Sequence, residues 1–207
     1  MYKIYFDNRF ITLSDEPDRL QKYDLFHKFI NTAELYNLIS GFQTSAAIQN
    51  INIYSGNIKH LWKIFRIYFS ETPAAGGFVR HSSGRHLFIE KRGRLDLPKG
   101  HKEPDENAES CAMREVAEEC GLSGHYIIKP LRTTFHTYTA EGVLHLKKTS
   151  WFLMGYDGDM TAIPQAEEGI TNVLWLLPDE FGSMKNTIWP SLMDVLNPFM
   201  ANAQNLL

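Results

Sequence analysis

Cysteine is almost missing: Cys111 and Cys120 are the only two in 207 residues. They lie nine positions apart in one predicted helix, about 900° of rotation, so they should face opposite sides. That excludes a disulfide between them and any disulfide framework, and suits a cytoplasmic chain. Long apolar runs are missing too. None approaches the roughly 20 residues needed to span a bilayer. The opening "MYKIYFDNRF" has no hydrophobic signal core, so secretion is not expected. A strong charge of either sign is also lacking. With 21 Lys+Arg against 24 Asp+Glu the formal net charge is −3, which argues against a general nucleic-acid or membrane-surface binder. No internal repeat or low-complexity tract is visible. What remains is 43% hydrophobic and 22% charged, an ordinary globular composition with material for a sizeable core.

Fourteen of the 26 aromatic residues fall before residue 73, so the first stretch has a core of its own. Residues 1–72 are expected to form a small N-terminal α/β module, and 73–207 a second domain. In the module, "YKIYF" and "FITL" flank Asp7-Asn8-Arg9 as a hairpin. The apolar spacing of Leu20, Tyr23, Phe26, Phe29 and Ile30 predicts an amphipathic helix over 17–39. "INIY" at 51–54 reads as a strand, and 57–69 as a helix capped by Asn57. "SETPAAGG" reads as a linker or the entry to the next domain. Strands "GGFVR" and "HLFIEKR" follow, then a turn-rich loop "DLPKGHKEPDE", then a helix over 105–120 with Gly121 where a left-handed C-cap belongs. "YIIKPLRTTFHTY", "VLHLKKTSWFLMGY" and "NVLWLL" read as strands, and two short helical segments close the chain. The module's eight Lys/Arg and seven Asp/Glu give no reason to invoke nucleic acid. It is a candidate for covering a site, homodimerisation or a second ligand.

The helix at 105–120 is crowded with like charge. Glu115, Glu118 and Glu119 stand at i, i+3 and i+4 and so project from one face. Like-charge neighbours at that spacing cost about 0.2–0.5 kcal/mol per pair, and crowded carboxylates resist ionising together. A hard divalent cation, Mg²⁺ or Mn²⁺, would remove both penalties and leave room for phosphate oxygens. The neighbouring segment has the opposite sign. Residues 78–102 carry seven Lys/Arg against Glu90 and Asp96, whereas 103–120 carry seven acids against Arg114. Such a juxtaposition suits a metal–polyphosphate ligand.

These residues also carry a resemblance. Gly100, Glu106 and "REVAEECGL" at 114–122 stand at the spacing of the complete Nudix box, and the chain resembles a Nudix hydrolase over roughly 74–200. The resemblance implies an α/β/α sandwich on a mixed sheet, with the box as loop–helix–loop. It implies Mg²⁺-dependent (or Mn²⁺-dependent) hydrolysis of a nucleoside diphosphate linked to another group. Glu118 and Glu119 would be the principal metal ligands, Glu115 a further ligand or base, and Gly100 would offer its backbone carbonyl. Glu106, Arg114 and Gly121 would be structural, the first two as a salt bridge. Family members often add a glutamate from a loop before a Trp-bearing strand; Glu168 fits best and Glu167 is the alternative. From the residues alone, Gly100 only allows a tight turn.

On the substrate side, Lys99 and Arg92 are the candidates for phosphate contacts. "LPKGH" resembles the loop of Nudix branches that cleave dinucleoside polyphosphates and diphosphoinositol polyphosphates. In that branch Lys147 and Lys148 could face polyphosphate. An adenine would be held by stacking, with Phe135, His136 and Tyr138 as candidates; Trp151 and Trp175 read as core. A small-molecule nucleotide is the expected partner. The competing readings are an ADP-ribose, nucleotide-sugar or diphosphoinositol pyrophosphatase, a non-catalytic nucleotide sensor, and isoprenoid isomerisation. A sensor of this fold would usually lack part of the box and carry a recognition helix. An isomerase would need an active-site cysteine outside the box helix, which this chain lacks.

Overall fold

The structure, a computed structural model, describes residues 1–200. In chain order the elements begin β1 (Tyr2–Phe6), β2 (Arg9–Ser14), β3 (Leu25–Lys28), α1 (Thr32–Thr44), β4 (Asn50–Tyr54), α2 (Ile58–Ile67), β5 (Ser70–His81) and β6 (His86–Lys91). They continue β7 (Arg94–Asp96), β8 (Lys99–His101), α3 (Ala108–Cys120), β9 (Tyr126–Pro130), β10 (Thr134–Ala140), β11 (Val143–Tyr156), β12 (Ile170–Leu176), α4 (Pro178–Ser183) and α5 (Pro190–Met200). Two compact units result. Met1–Thr72 packs with Phe135–Lys147; Pro73–Thr134 packs with the chain from Lys148 onward. A single cut after residue 72 therefore differs from this division by one hairpin, and residues 201–207 of the expected second domain lie outside the described residues.

In the first unit β1 and β2 are antiparallel across Asp7-Asn8, with Asp7 in the left-handed region at φ 56°. β4 lies parallel to both β2 and β3, and β10 parallel to β1. Ile4, Ile11, Leu13, Ile51 and Ile53 from the strands meet Leu35, Ile39 and Phe42 of α1 and Leu61 and Phe65 of α2. Arg9 caps the end of α1, its Nη1 donating to the carbonyls of Phe42 at 2.7 Å and Ser45 at 2.6 Å. The helix expected over 17–39 is not formed. Asp18 instead accepts from Leu20 N at 3.0 Å, the Tyr23 hydroxyl at 2.6 Å and Gln21 Nε2 at 3.2 Å. Such local side-chain bonds compete with the helical ladder. Residues 25–28 then alternate inward and outward as a strand, and the helix starts only after Asn31, whose side chain accepts from Glu34 N at 2.9 Å.

The second unit shows what period-2 alternation does on a two-faced sheet. Its strands run β12-β6-β5-β11, with β7 on β6, β8 on β5 and β9 on β11. Ala75, Val79, Leu87, Ile89, Phe152 and Met154 face Cys111, Ala112 and Val116 of α3. The alternate residues Phe78, Phe88, Trp151 and Leu153 face Phe181 of α4 and Leu192, Val195 and Leu196 of α5. The result is an α/β/α sandwich.

Three expectations are corrected here. Of the two readings of "SETPAAGG", the linker fails: it is the first two-thirds of β5, whose small residues let β8 pair with it (Ala75 with Gly100, Gly76 with Lys99). The box helix begins at Ala108 rather than 105, because Asn107 caps it by accepting from Ser110 N at 2.8 Å. Cys111 and Cys120 do not part company; both are fully buried in the same cluster, and both are free. At about 1.5 Å of rise per residue they sit too far apart along the axis to bridge. Among the described residues no helix is long and apolar enough to cross a membrane.

Candidate active site

The site is built around Arg114, one turn before the middle of the glutamate face. Its Nε and Nη2 donate to the two oxygens of Glu106 at 3.0 and 3.1 Å, a bidentate pair. Its Nη1 donates to Glu115 at 2.8 Å and Glu118 at 2.9 Å, and Nη2 also reaches the His101 carbonyl at 3.1 Å. One guanidinium thus fastens the loop before the helix to the helix and neutralises its crowded carboxylates. It holds the Glu106 carboxyl well below the usual range, at about 2. The three glutamates share one stripe but not one environment. Glu115 and Glu119 are buried, and Glu118 is half-exposed. Burial pushes the Glu119 carboxyl up to about 7, against the opposing pull of Lys99 and then Lys91.

Gly100 matters for space rather than for turning: its φ is not positive, and a Cβ there would run into the Glu115 carboxylate. Only glycine lets that carboxylate lie against the backbone of β8. At the other end Gly121 takes φ 66° and closes α3, donating to the Ala117 carbonyl at 2.8 Å. The loop 163–168 is then tied to the end of α3 by two backbone bonds, Ile163 N to Cys120 O at 2.9 Å and Gln165 N to Glu119 O at 3.1 Å. That brings Glu168 to Lys91, Nζ to Oε2 at 3.2 Å. Glu167 is exposed and makes no such pair.

Among the described residues no three His, Cys, Asp or Glu side chains converge on a point as metal ligands. Glu115 and Glu118 are instead both paired with Arg114 Nη1. The donors still fit a hard cation: all are oxygens, Gly100 adds a carbonyl, and the exposed Arg114–Glu118 pair is worth at most about 1 kcal/mol to open.

The substrate-side candidates scatter. Lys99 turns inward, its ammonium paired with buried Asp96 and its backbone N–H donating to Glu119 Oε2 at 2.8 Å. Arg92 sits at φ 55° beside Gly93 at φ 69° in the two-residue turn between β6 and β7, exposed and without a partner among the described residues. Lys148 is exposed on β11. Tyr138 belongs to the other unit, where its ring stacks on His145 at 4.9 Å and its hydroxyl donates to Thr72 at 3.4 Å. Phe135 packs into that unit's core against Trp62. Trp151 is core, donating to Thr134 at 2.9 Å, and Trp175 lies against Tyr156. Sequence reasoning passed over Lys91 and Asp96. A signal for Lys91 was present: it follows Leu87 and Ile89 at period 2 and so must emerge on the α3 face.

Comparison with known proteins agrees with this geometry. In sequence, 90 residues are 34% identical to the mutator protein MutT4 of Mycobacterium tuberculosis, and 76 residues are 28% identical to the isopentenyl-diphosphate Δ-isomerase of Ruegeria pomeroyi. Those matches take in 42% and 37% of this chain, and the chain spans 35% and 42% of those relatives' lengths. In structure, the MutT protein of Methanosarcina mazei Go1 matches with a TM-score of 0.50 and 16% identity, over 67% of this chain and 98% of that one. The C. elegans Ap4A hydrolase matches with a TM-score of 0.51 and 20% identity, over 65% and 99%. Both are likenesses of fold. The NUDIX domain model matches residues 70–203, well over half of the chain and the whole of the box just described, and the protein belongs to the Nudix family.

Proposed function

We propose that this chain hydrolyses a pyrophosphate bond in a nucleoside diphosphate linked to another moiety, with a dinucleoside polyphosphate as the substrate class. The observation that carries the reading is the intact glutamate stripe of α3, braced by Arg114 and with the Glu115 carboxylate lying against Gly100. The "LPKGH" loop and the likeness of fold to an Ap4A hydrolase support the substrate class.

Glu118 and Glu119 would hold Mg²⁺ or Mn²⁺, with Glu115 and the Gly100 carbonyl completing the set. Bound there, the ion supplies charge neutralisation and an acidified water. Glu119 is suited to this because it is buried with a single hydrogen-bond donor among the described residues and so keeps acceptor capacity to spare. Glu168 would take the water's proton; among the described residues it is paired with Lys91, whereas Glu167 has no such pair. Arg114 would release Glu118 while keeping Glu106, so the loop would stay fixed as the site fills. The Lys99 ammonium, tied to Asp96, is a brace for the loop rather than a phosphate contact, and Arg92 and Lys148 remain free to meet substrate. The isomerase reading loses ground at the thiols: Cys111 and Cys120 are both buried, and burial pushes the Cys111 thiol up to about 11.

A hydrolysis panel with Mg²⁺ and chromatographic identification of the products tests this, covering diadenosine polyphosphates, ADP-ribose, nucleotide sugars, nucleoside triphosphates and diphosphoinositols. Turnover of at least one pyrophosphate, abolished by EDTA, is expected. Undiminished turnover in EDTA, or none anywhere in the panel, would overturn it.

A further inference from the structure

We infer that Lys91 is the positioning residue for Glu168, an inference that rests on the hydrolase reading above. The backbone of the 163–168 loop is fixed three ways: to Cys120 and Glu119 by hydrogen bonds, and to β6 through the start of β12, where Ile170 pairs with Lys91. Among the described residues the Glu168 side chain has one attachment, the Lys91 ammonium at 3.2 Å. In that pair the lysine is the fixed end. Its side chain is 25% exposed against 56% for the glutamate, because the lysine stem leaves the α3 face of β6 beside Ile89. Without the lysine, Glu168 would be a solvated side chain on a surface turn, free to spend its time in other rotamers.

An ion pair this exposed adds little to stability. Its consequence is kinetic: it confines a carboxylate to the edge of the site where the water must be deprotonated, and misplacement of such a group by about 1 Å costs up to about 100-fold. Lys91→Met should therefore lower kcat about tenfold, leave KM within about twofold and leave the melting temperature unchanged, while Lys91→Arg should recover most of kcat. In a Glu168→Gln background, Lys91→Met should have no further effect, because there is no carboxylate left to place. A Lys91→Met enzyme with normal kcat overturns the inference and leaves the hydrolase reading standing. So does an equal loss in both backgrounds, or a loss carried by KM, either of which would make Lys91 a direct phosphate contact. A wild-type chain inert across the whole panel overturns both.

Discussion

Asp18 in the first unit and Glu119 in the second are both buried carboxylates, 9% and 3% exposed, yet their surroundings have little in common. Asp18 is ringed by donors from its own loop: the Tyr23 hydroxyl, Leu20 N and Gln21 Nε2. The Tyr23 bond above all holds its carboxyl below the usual value, against the cost of burial. Glu119 has one donor among the described residues, a backbone N–H, and burial raises it. A carboxylate whose lone pairs are taken is part of the fold. One buried with acceptor capacity left over costs stability, and that cost is intelligible if something else is to be bound there.

The strongest way to break this contrast is to neutralise each in turn. Glu119→Gln or Glu118→Gln should lower kcat by about 100-fold or more, the scale for losing a group that serves developing charge, with far-UV circular dichroism unchanged. Asp18→Asn should cost stability but leave kcat within about twofold. Comparable losses of turnover in both units would erase the distinction.

A third buried group sharpens it. His86 is 4% exposed, stacks on Phe78 at 4.6 Å, and has no hydrogen-bond partner on either ring nitrogen among the described residues. Burial, then Arg80, lowers it from 6.5 to about 4. The folded state holds the neutral ring, so its stability is complete above about pH 6.5 and is lost as the pH falls toward 4. Linkage makes that loss about 3 kcal/mol. Urea unfolding at pH 7 and pH 4 should show it, and His86→Leu should remove that part of the difference.

Smaller effects separate the two networks by their braces. Arg114→Ala leaves Glu106 and Glu115 without their cation and should cost about 1.5–3 kcal/mol together with turnover. Tyr23→Phe removes one donor from Asp18 and should cost about 1 kcal/mol with turnover untouched. Equilibrium denaturation and the hydrolysis assay on the same samples decide both.

Legibility followed how local the governing interactions are. Asn57, Asn107 and Gly121 mark helix ends within a turn of themselves, so α2 and the close of α3 could be read directly. The stretch 17–39 misled because its apolar spacing is ambiguous and the bonds of Asp18 are made only once the loop folds. Gly100 looked like a turn residue because its neighbour Glu115 is fifteen positions away in sequence. Lys99 looked like a phosphate contact because nothing in "LPKGH" shows that Asp96 will bury its ammonium.

By itself the sequence determined the box, its metal-suited residue types and the alternation that makes a two-faced sheet. These follow from spacings of a few residues, which helix and strand periodicity convert into faces without reference to the rest of the chain. Only the tertiary structure decided which carboxylates would be satisfied and which left wanting. It alone brought Glu168 to Lys91, 77 positions away, and placed Tyr138 in the other unit. Donor counts, burial and charge contacts depend on segments that meet only when the sheet closes, and no local pattern carries that information.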